Sequence, residues 1–436
     1  MKRLSSLLIL LAPILINAQG RYLSPDEAVA LALKNNYNIL LAINDSTAAA
    51  LDYSYRNAAF LPRLNANIGT VWNKNDQKQI LADHTVRQSS GLKSNNITSQ
   101  LALNWTLFDG LKMFATRDKV EEYVQLGGLT IKNQVITTVA TVLNTYYNIV
   151  KEKQQLKAIE DQMSINQERV KPAQYKLDIG VGTKPDVLQS QVDLNAQKAA
   201  VLNEQTLIEQ LKDQLNQVMN ANPSLYEVAD TIPVNTSLIL ADILSTTEKN
   251  NPQVLIAKKN IDIANLTLRE RRADLLPTVA FNSAYNFNRT TNQTVLNSFS
   301  TLFNRTHGFN YGLTATIPIL NNFNTRRLIQ HAQLDIKYQQ LTYENQLSLA
   351  NLGVYKAWES YQQQMKALDL EESNIKLAQE NVDIELETYR LGAATYIQLR
   401  EAQKSLEDAY TRLITARYNT KLAEINLMQL RGDLVK

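Results

Sequence analysis

Cysteine is absent from the 436 residues, which excludes a disulfide framework, a thiolate metal site and a lipidated cysteine as a membrane anchor. Histidine is nearly absent: His84, His307 and His331 stand alone, with no metal-ligand spacing between them. No Gly-x-Ser-x-Gly elbow occurs. Acidic clusters such as Glu371-Glu372 and Asp383-Glu385-Glu387 lie in helical patterns, where charged runs face water. No catalytic residue, metal or cofactor is therefore expected, and the chain does not read as an enzyme. Long apolar runs are also missing after the first sixteen residues, so no helix spans a bilayer and a closed β-barrel is the remaining route across one. Excess charge is lacking too. The formal net charge is +3, and removing Lys2 and Arg3 with a leader brings it to +1, which gives no reason to expect a nucleic-acid or acidic-lipid partner.

What is present begins with that leader. Lys2 and Arg3 precede an apolar stretch from Leu4 to Ile16, closed by Asn17-Ala18-Gln19. This is the layout of a secretory signal peptide, read as residues 1–18.

The remainder is written twice. LSPDEAVALALKNN, from Leu23, aligns with LILADILSTTEKNN, from Leu238, and the match ends at Leu61-Pro62 and Leu276-Pro277, an offset of 215. Farther along, Gly180 pairs with Gly392 and Thr183 with Thr395, an offset of 212. A period this long is a duplicated half, not a solenoid repeat. The first structural repeat is assigned to 19–221, a linker to 222–236 around Pro223 and Pro233, and the second repeat to 237–436.

Each half predicts the same order. A short helix after Ser24-Pro25 stops near Asn35-Asn36, a pair suited to a left-handed turn, and a second helix follows. Pro62 and Pro277 turn the chain into alternating stretches. Leu64, Ala66, Ile68, Thr70 and Trp72 share one face, and so do Val279, Phe281, Ser283, Tyr285 and Phe287. Strands are expected at about 63–73, 97–108, 278–289 and 306–318, with Asn-, Thr- and Ser-rich loops at 74–96 and 290–305. Each strand is long enough to cross a bilayer when tilted.

Helical patterns then run over about 110–179, 183–219, 322–391 and 395–430. At 1.5 Å per residue the longer ones extend about 100 Å, with Gly127-Gly128 and Pro172 as points of bending or breakage. Leu399, Ala402, Leu406, Ala409, Leu413, Ala416, Thr420, Ala423, Leu427 and Leu430 keep a three-four spacing, and Tyr410, Ile414, Tyr418, Ile425 and Met428 form a second stripe. Taken alone, such helices read equally well as a coiled-coil rod, so an exported scaffold or adhesin is the alternative. Two hairpins are too few for a soluble sandwich and cannot close into a barrel. Three copies, contributing four strands each, would give twelve.

The duplicated Asn-Asn turn, the Leu-Pro before each first strand, Phe108-Asp109-Gly110 and the Gly-x-x-Thr turns, in this order and twice, resemble the TolC outer-membrane factors over essentially all of the mature chain. The resemblance implies a mainly α fold with a membrane β part. A homotrimer would form a twelve-stranded barrel continuous with a periplasmic α-helical barrel, set in outer-membrane lipid. It implies a passive exit duct for efflux or type I secretion, with a periplasmic adaptor and an inner-membrane RND or ABC pump as partners. Adaptor contact would fall at Gly180, Val181, Gly182, Thr183, Leu391, Gly392, Ala393 and Thr395, which also have helix-capping roles. Carried over position by position, the gate would comprise Asp186, Tyr389, Gln398 in place of an acid, and Glu401. Ala394 stands where the family has a basic residue, so its closing salt bridges are not all reproduced. Three-fold symmetry would gather three Glu401 carboxylates and favour cation capture.

Overall fold

The computed structural model describes residues 21–222, 226–391 and 393–434; the leader, residues 1–18, lies outside them. In chain order the elements are β1 (Arg21–Tyr22), α1 (Pro25–Asn35), α2 (Tyr37–Ser54), β2 (Arg63–Ile80), β3 (Val86–Asp109), α3 (Lys112–Asp178), α4 (Lys184–Met219), β4 (Tyr226–Glu227), α5 (Leu240–Asn250), α6 (Pro252–Ala273), β5 (Thr278–Asn292), β6 (Phe303–Thr316), α7 (Asn324–Arg390) and α8 (Tyr396–Arg431). The duplication is exact in helix length: α3 and α7 each have 67 residues, α4 and α8 each have 36. Two compact units result, one built on Asn44–Leu129 and Ile256–Gln346, the other on the remaining described residues.

In the mainly helical unit, the Asn-Asn turns differ from expectation. Asn36 and Asn251 are extended, at φ −62° and −64°, not left-handed. Each uses its side chain as both acceptor and donor. The Asn36 carbonyl oxygen accepts from the Asn38 and Ile39 amides, and its amide donates to the Val218 carbonyl at 2.7 Å. Asn251 repeats this with Gln253, Val254 and the Leu430 carbonyl, the last at 2.9 Å. The short-helix junction is thereby tied to the end of the long coiled coil in both repeats. Asn is selected for its paired donor and acceptor, not for tolerance of positive φ.

The core of this unit gathers Ala28, Ala32, Val142, Tyr146, Ile149 and Leu215. The fully buried Tyr146 hydroxyl donates to the Leu23 carbonyl and accepts from the Ala229 amide. That bond fastens a parallel two-residue pairing of β1 with β4, which no sequence pattern announced. Along α8 most of the three-four stripe is buried, namely Leu399, Ala402, Leu406, Ala409, Ala416, Thr420, Ala423 and Leu427, and so are Ile414 and Ile425 of the second stripe. Alternation of large with small side chains lets facing helices approach closely.

The other unit holds one antiparallel sheet in the order β2-β3-β5-β6. Its strands outrun the sequence reading. The stretch 74–96 is not a loop: β2 and β3 stay paired to Ile80 and Val86, with a register shift near Asn75–Gln77. The second connection likewise shrinks to 293–302. Ladder hydrogen bonds need only backbone groups, so polar Asn, Ser and Thr continue a hairpin past the point where apolar alternation stops.

α3 runs unbroken through Gly127-Gly128 and Pro172, so neither point breaks the helix. A Cβ at Gly127 would fall 2.8 Å from the Ser46 hydroxyl; this glycine serves close approach of α2. Gly110, at φ +73°, makes the exit from β3, and a Cβ there would collide with the Ala273 carbonyl. Beside it α3 and α6 are joined by ion pairs Lys112–Asp274 at 2.8 Å, Lys119–Glu270, and Lys259–Glu122 at 2.6 Å. Among the described residues no helix is long and apolar enough to cross a membrane.

Candidate functional site at the helical turns and on the sheet

Two features of the chain are unlike an ordinary soluble core, and the first is the sheet. Successive strand residues alternate between faces and directly paired residues share one. Register therefore places Leu64, Leu103, Ser283 and Tyr311 in one row, and Ala66, Leu101, Tyr285 and Phe309 in the next. Among the described residues this apolar face is left largely uncovered: Ile68 is 81% exposed and Tyr311 74%. The opposite face carries mainly uncharged polar groups, linked across strands by Gln100 to Asn286 at 3.0 Å, Asn286 to Asn310 at 3.0 Å and Asn282 to Thr314 at 3.2 Å. A sheet apolar outside and polar on the other face is what a membrane wall around water requires.

The second feature is the pair of turns that end the coiled coils. After α3, Gly180 takes φ +78°, a left-handed conformation glycine adopts at no steric cost. The Val181 and Gly182 amides then donate to the Lys176 carbonyl at 2.9 and 2.8 Å. Gly182 lies so close to this turn that a Cβ would stand 2.8 Å from Lys176 and Leu177 backbone atoms. Thr183 caps α4, accepting from the Asp186 amide and donating to the Asp186 carboxylate at 2.8 Å. At the other turn the Ala393 and Ala394 amides converge on the Thr388 carbonyl. Thr395 and Gln398 form a reciprocal capping box, in which the Thr395 amide donates to Gln398 Oε1 at 2.7 Å. Leu391 and Val181 project outward, 78% and 72% exposed. Gly392 lies outside the described residues.

Of the four positions expected at the gate, Asp186 and Gln398 are engaged in their own helix starts, and Glu401 is exposed on α8. Tyr389 alone reaches another coiled coil. Lys176 Nζ donates to its hydroxyl at 3.1 Å and lies 4.2 Å from its ring centroid. Lys176 had no sequence signal, because it comes from the first repeat and no pattern spaces it against Tyr389. A second tie, equally unannounced, joins α4 to α8: Arg400 Nε lies 3.3 Å from the Asp193 carboxylate, which also accepts from the Tyr396 hydroxyl at 3.4 Å. Between α3 and the α7–α8 pair runs a groove of about 1490 Å³, with Leu399, Leu406 and Val382 on its floor and Lys176 and Tyr389 at one end.

Above the turns, a charged cluster sits between α3 and α4. Glu152 is buried and pairs with Lys151 at 2.6 Å. Burial and the adjacent Glu152 carboxylate push the Glu204 carboxyl up to about 7. Among the described residues no group of acids, histidines or cysteines could hold a metal ion.

Residues 28–221 and 243–433 match the family model described as outer membrane efflux protein. The outer membrane efflux protein BepC of Brucella suis is 21% identical over 94% of this chain and 90% of its own length. TolC of Vibrio cholerae is 19% identical over 92% of this chain and 89% of its own. A structure of CusC, studied for folding and transmembrane channel formation, superimposes with TM-score 0.77 at 16% identity, covering 95% of this chain and 93% of that one. The two repeats, the uncovered apolar sheet face and the paired coiled coils therefore have one account: this chain belongs to the outer membrane efflux protein family of channel and transport proteins, and it resides in the outer membrane.

Proposed function

We propose that this chain is the passive exit duct of a tripartite efflux or type I secretion system. Three copies close a twelve-stranded barrel through the outer membrane, and their coiled coils enclose a periplasmic conduit. The helical turns at Gly180–Thr183 and Leu391–Thr395 form its closable mouth, where a periplasmic adaptor coupled to an inner-membrane RND or ABC pump docks. The observation that carries the reading is the sheet order: β2 and β6 are its two edges, each with one unpaired side. In hydrocarbon an unpaired edge leaves several polar groups unsatisfied, each costing a few kcal/mol. Four strands cannot close on themselves, so the edges must meet those of other copies. Docking at the mouth is supported by the exposed Val181 and Leu391 at the two turns.

Because the chain has no cysteine, edge pairing is testable by introducing one cysteine on each edge strand, at Ala66 and Leu313, and oxidising outer-membrane fractions. A ladder ending at three chains on non-reducing gels is expected, together with planar-bilayer conductance. A species that stays monomeric under both single-pair and chemical cross-linking would overturn the trimer.

A further inference from the structure

The near-neutral net charge conceals a local excess. On the apolar face, Ile68, Ser99, Phe287 and His307 share one row, and the next is Thr70, Ile97, Arg289 and Arg305. Arg289 and Arg305 are therefore direct cross-strand partners on the face that meets lipid. Two rows farther toward the hairpin tips, Lys74 and Lys93 are also direct partners on this face. Like charges placed opposite each other destabilise a ladder, and here it happens twice, about 13 Å apart along the strand direction at the usual strand rise.

Among the described residues, compensation is limited to the Phe303 ring, whose centroid lies 5.7 Å from the Arg289 guanidinium. All four side chains are exposed, and among the described residues none makes an ion pair. β5 and β6 contain no acidic residue. The nearest carboxylates are turned to local bonds, Asp76 accepting from the Gly91 amide at 2.6 Å and Asp83 from the Thr85 amide at 3.0 Å. The row between the two basic pairs presents Trp72 and Phe303, both exposed. Aromatic rings at this level mark the boundary between hydrocarbon and headgroups.

We infer that the two basic pairs, Arg289–Arg305 and Lys74–Lys93, form a binding site for the phosphate-bearing headgroup of a lipid in the leaflet around the hairpin-tip end of the sheet. The occupant is a lipid and not a free anion, because the apolar rows beneath the arginines are continuous with the site and would take its acyl chains. Each like-charged pair then flanks one anionic group, which converts repulsion into two charge-assisted contacts. The site rests on reading the sheet as a membrane wall.

The test uses the purified full-length protein in neutral detergent. Native mass spectrometry would follow binding of diphosphoryl lipid A, dephosphorylated lipid A and inorganic phosphate. Wild type should retain diphosphoryl lipid and discriminate against the dephosphorylated form, with millimolar phosphate failing to displace it. Arg289→Gln with Arg305→Gln should weaken binding about thirtyfold, and Lys366→Gln, on an exposed turn of α7, should not change it. Equal binding of both lipids, or an unchanged Arg289→Gln/Arg305→Gln variant, would overturn the site, as would displacement by phosphate alone. Planar-bilayer conductance on the same samples separates the two ideas. Conductance without lipid discrimination removes the site and keeps the channel, whereas lipid discrimination without conductance keeps the site and removes the channel.

Discussion

Lys176 of the first repeat donates a hydrogen bond to the hydroxyl of Tyr389 in the second, at 3.1 Å, with its ammonium 4.2 Å from the ring centroid. Two repeats that descend from one pattern are thus held together near the turns by a contact neither repeat contains alone. A hydrogen bond to a charged group contributes about 1.5–3 kcal/mol, and less with partial exposure. Tyr389→Phe keeps the ring and removes the acceptor. It should raise closed-state conductance in planar bilayers, and Lys176→Gln should do the same. In a double-mutant cycle the two effects should be less than additive; full additivity would show that the residues act separately.

Glu401 offers a contrasting case, since it is exposed on α8 and makes no ion pair among the described residues. If three copies converge at the mouth, their carboxylates form an anionic ring. Glu401→Gln should then reduce cation selectivity and block by multivalent cations. Unchanged selectivity would remove Glu401 from the gate.

Asn36 and Asn251 make the same three hydrogen bonds in the two repeats. Both are buried, so truncation removes a helix cap and leaves a carbonyl unpaired. Asn36→Ala and Asn251→Ala should each lower stability by about 1–2 kcal/mol, read as a fall in Tm. Because the two sites are independent, the double variant should show the sum.

Glu204, beside Glu152, sets a pH dependence. The Glu204 carboxyl is raised to about 7 by burial and by its acidic neighbour, so the folded chain holds a proton there that the unfolded chain has released. Stability from this group is complete below the ordinary carboxylate range near 4.5 and is lost as pH rises toward 7. The titratable groups beside the pair are Lys151 on α3, a cation that opposes the shift, and the neutral Tyr418 on α8, whose hydroxyl is itself raised by burial. Denaturant unfolding of Glu204→Gln should lose the decline between about 4.5 and 7 seen in wild type. A decline of the same size would assign it to other groups.

The two faces of the sheet should respond oppositely to charge. Tyr311→Lys, on the uncovered apolar face, places an ammonium in hydrocarbon, at a cost of about 2–4 kcal/mol near the midplane. Assembly in the outer membrane should fall. Asn310→Lys, its neighbour on the polar face, should assemble normally and shift conductance toward anions. Equal assembly of both would contradict the assignment of faces.

Much of this architecture was readable from residue order. Alternation in Val279 to Phe287, the three-four stripe of α8 and the Gly-x-x-Thr turns each depend on neighbours a few positions away, and local pattern reports such neighbours faithfully. The hairpin extents were not readable, because Asn73 to Asn96 contains no apolar alternation, and backbone pairing there is indifferent to side-chain polarity. The Asn36 and Asn251 turns were located correctly and given the wrong conformation, since the long-range Val218 and Leu430 carbonyls that select their geometry lie 182 and 179 residues away.

By itself, then, the amino-acid order determined a duplicated chain of alternating strands and heptad-patterned helices, because those properties are set by periodicity. Tertiary structure alone decided which side chains meet: Lys176 with Tyr389, Arg400 with Asp193, Arg289 with Arg305. Such pairs are made by strand register and helix packing across intervals with no repeating period, and only the folded backbone brings their atoms within bonding reach.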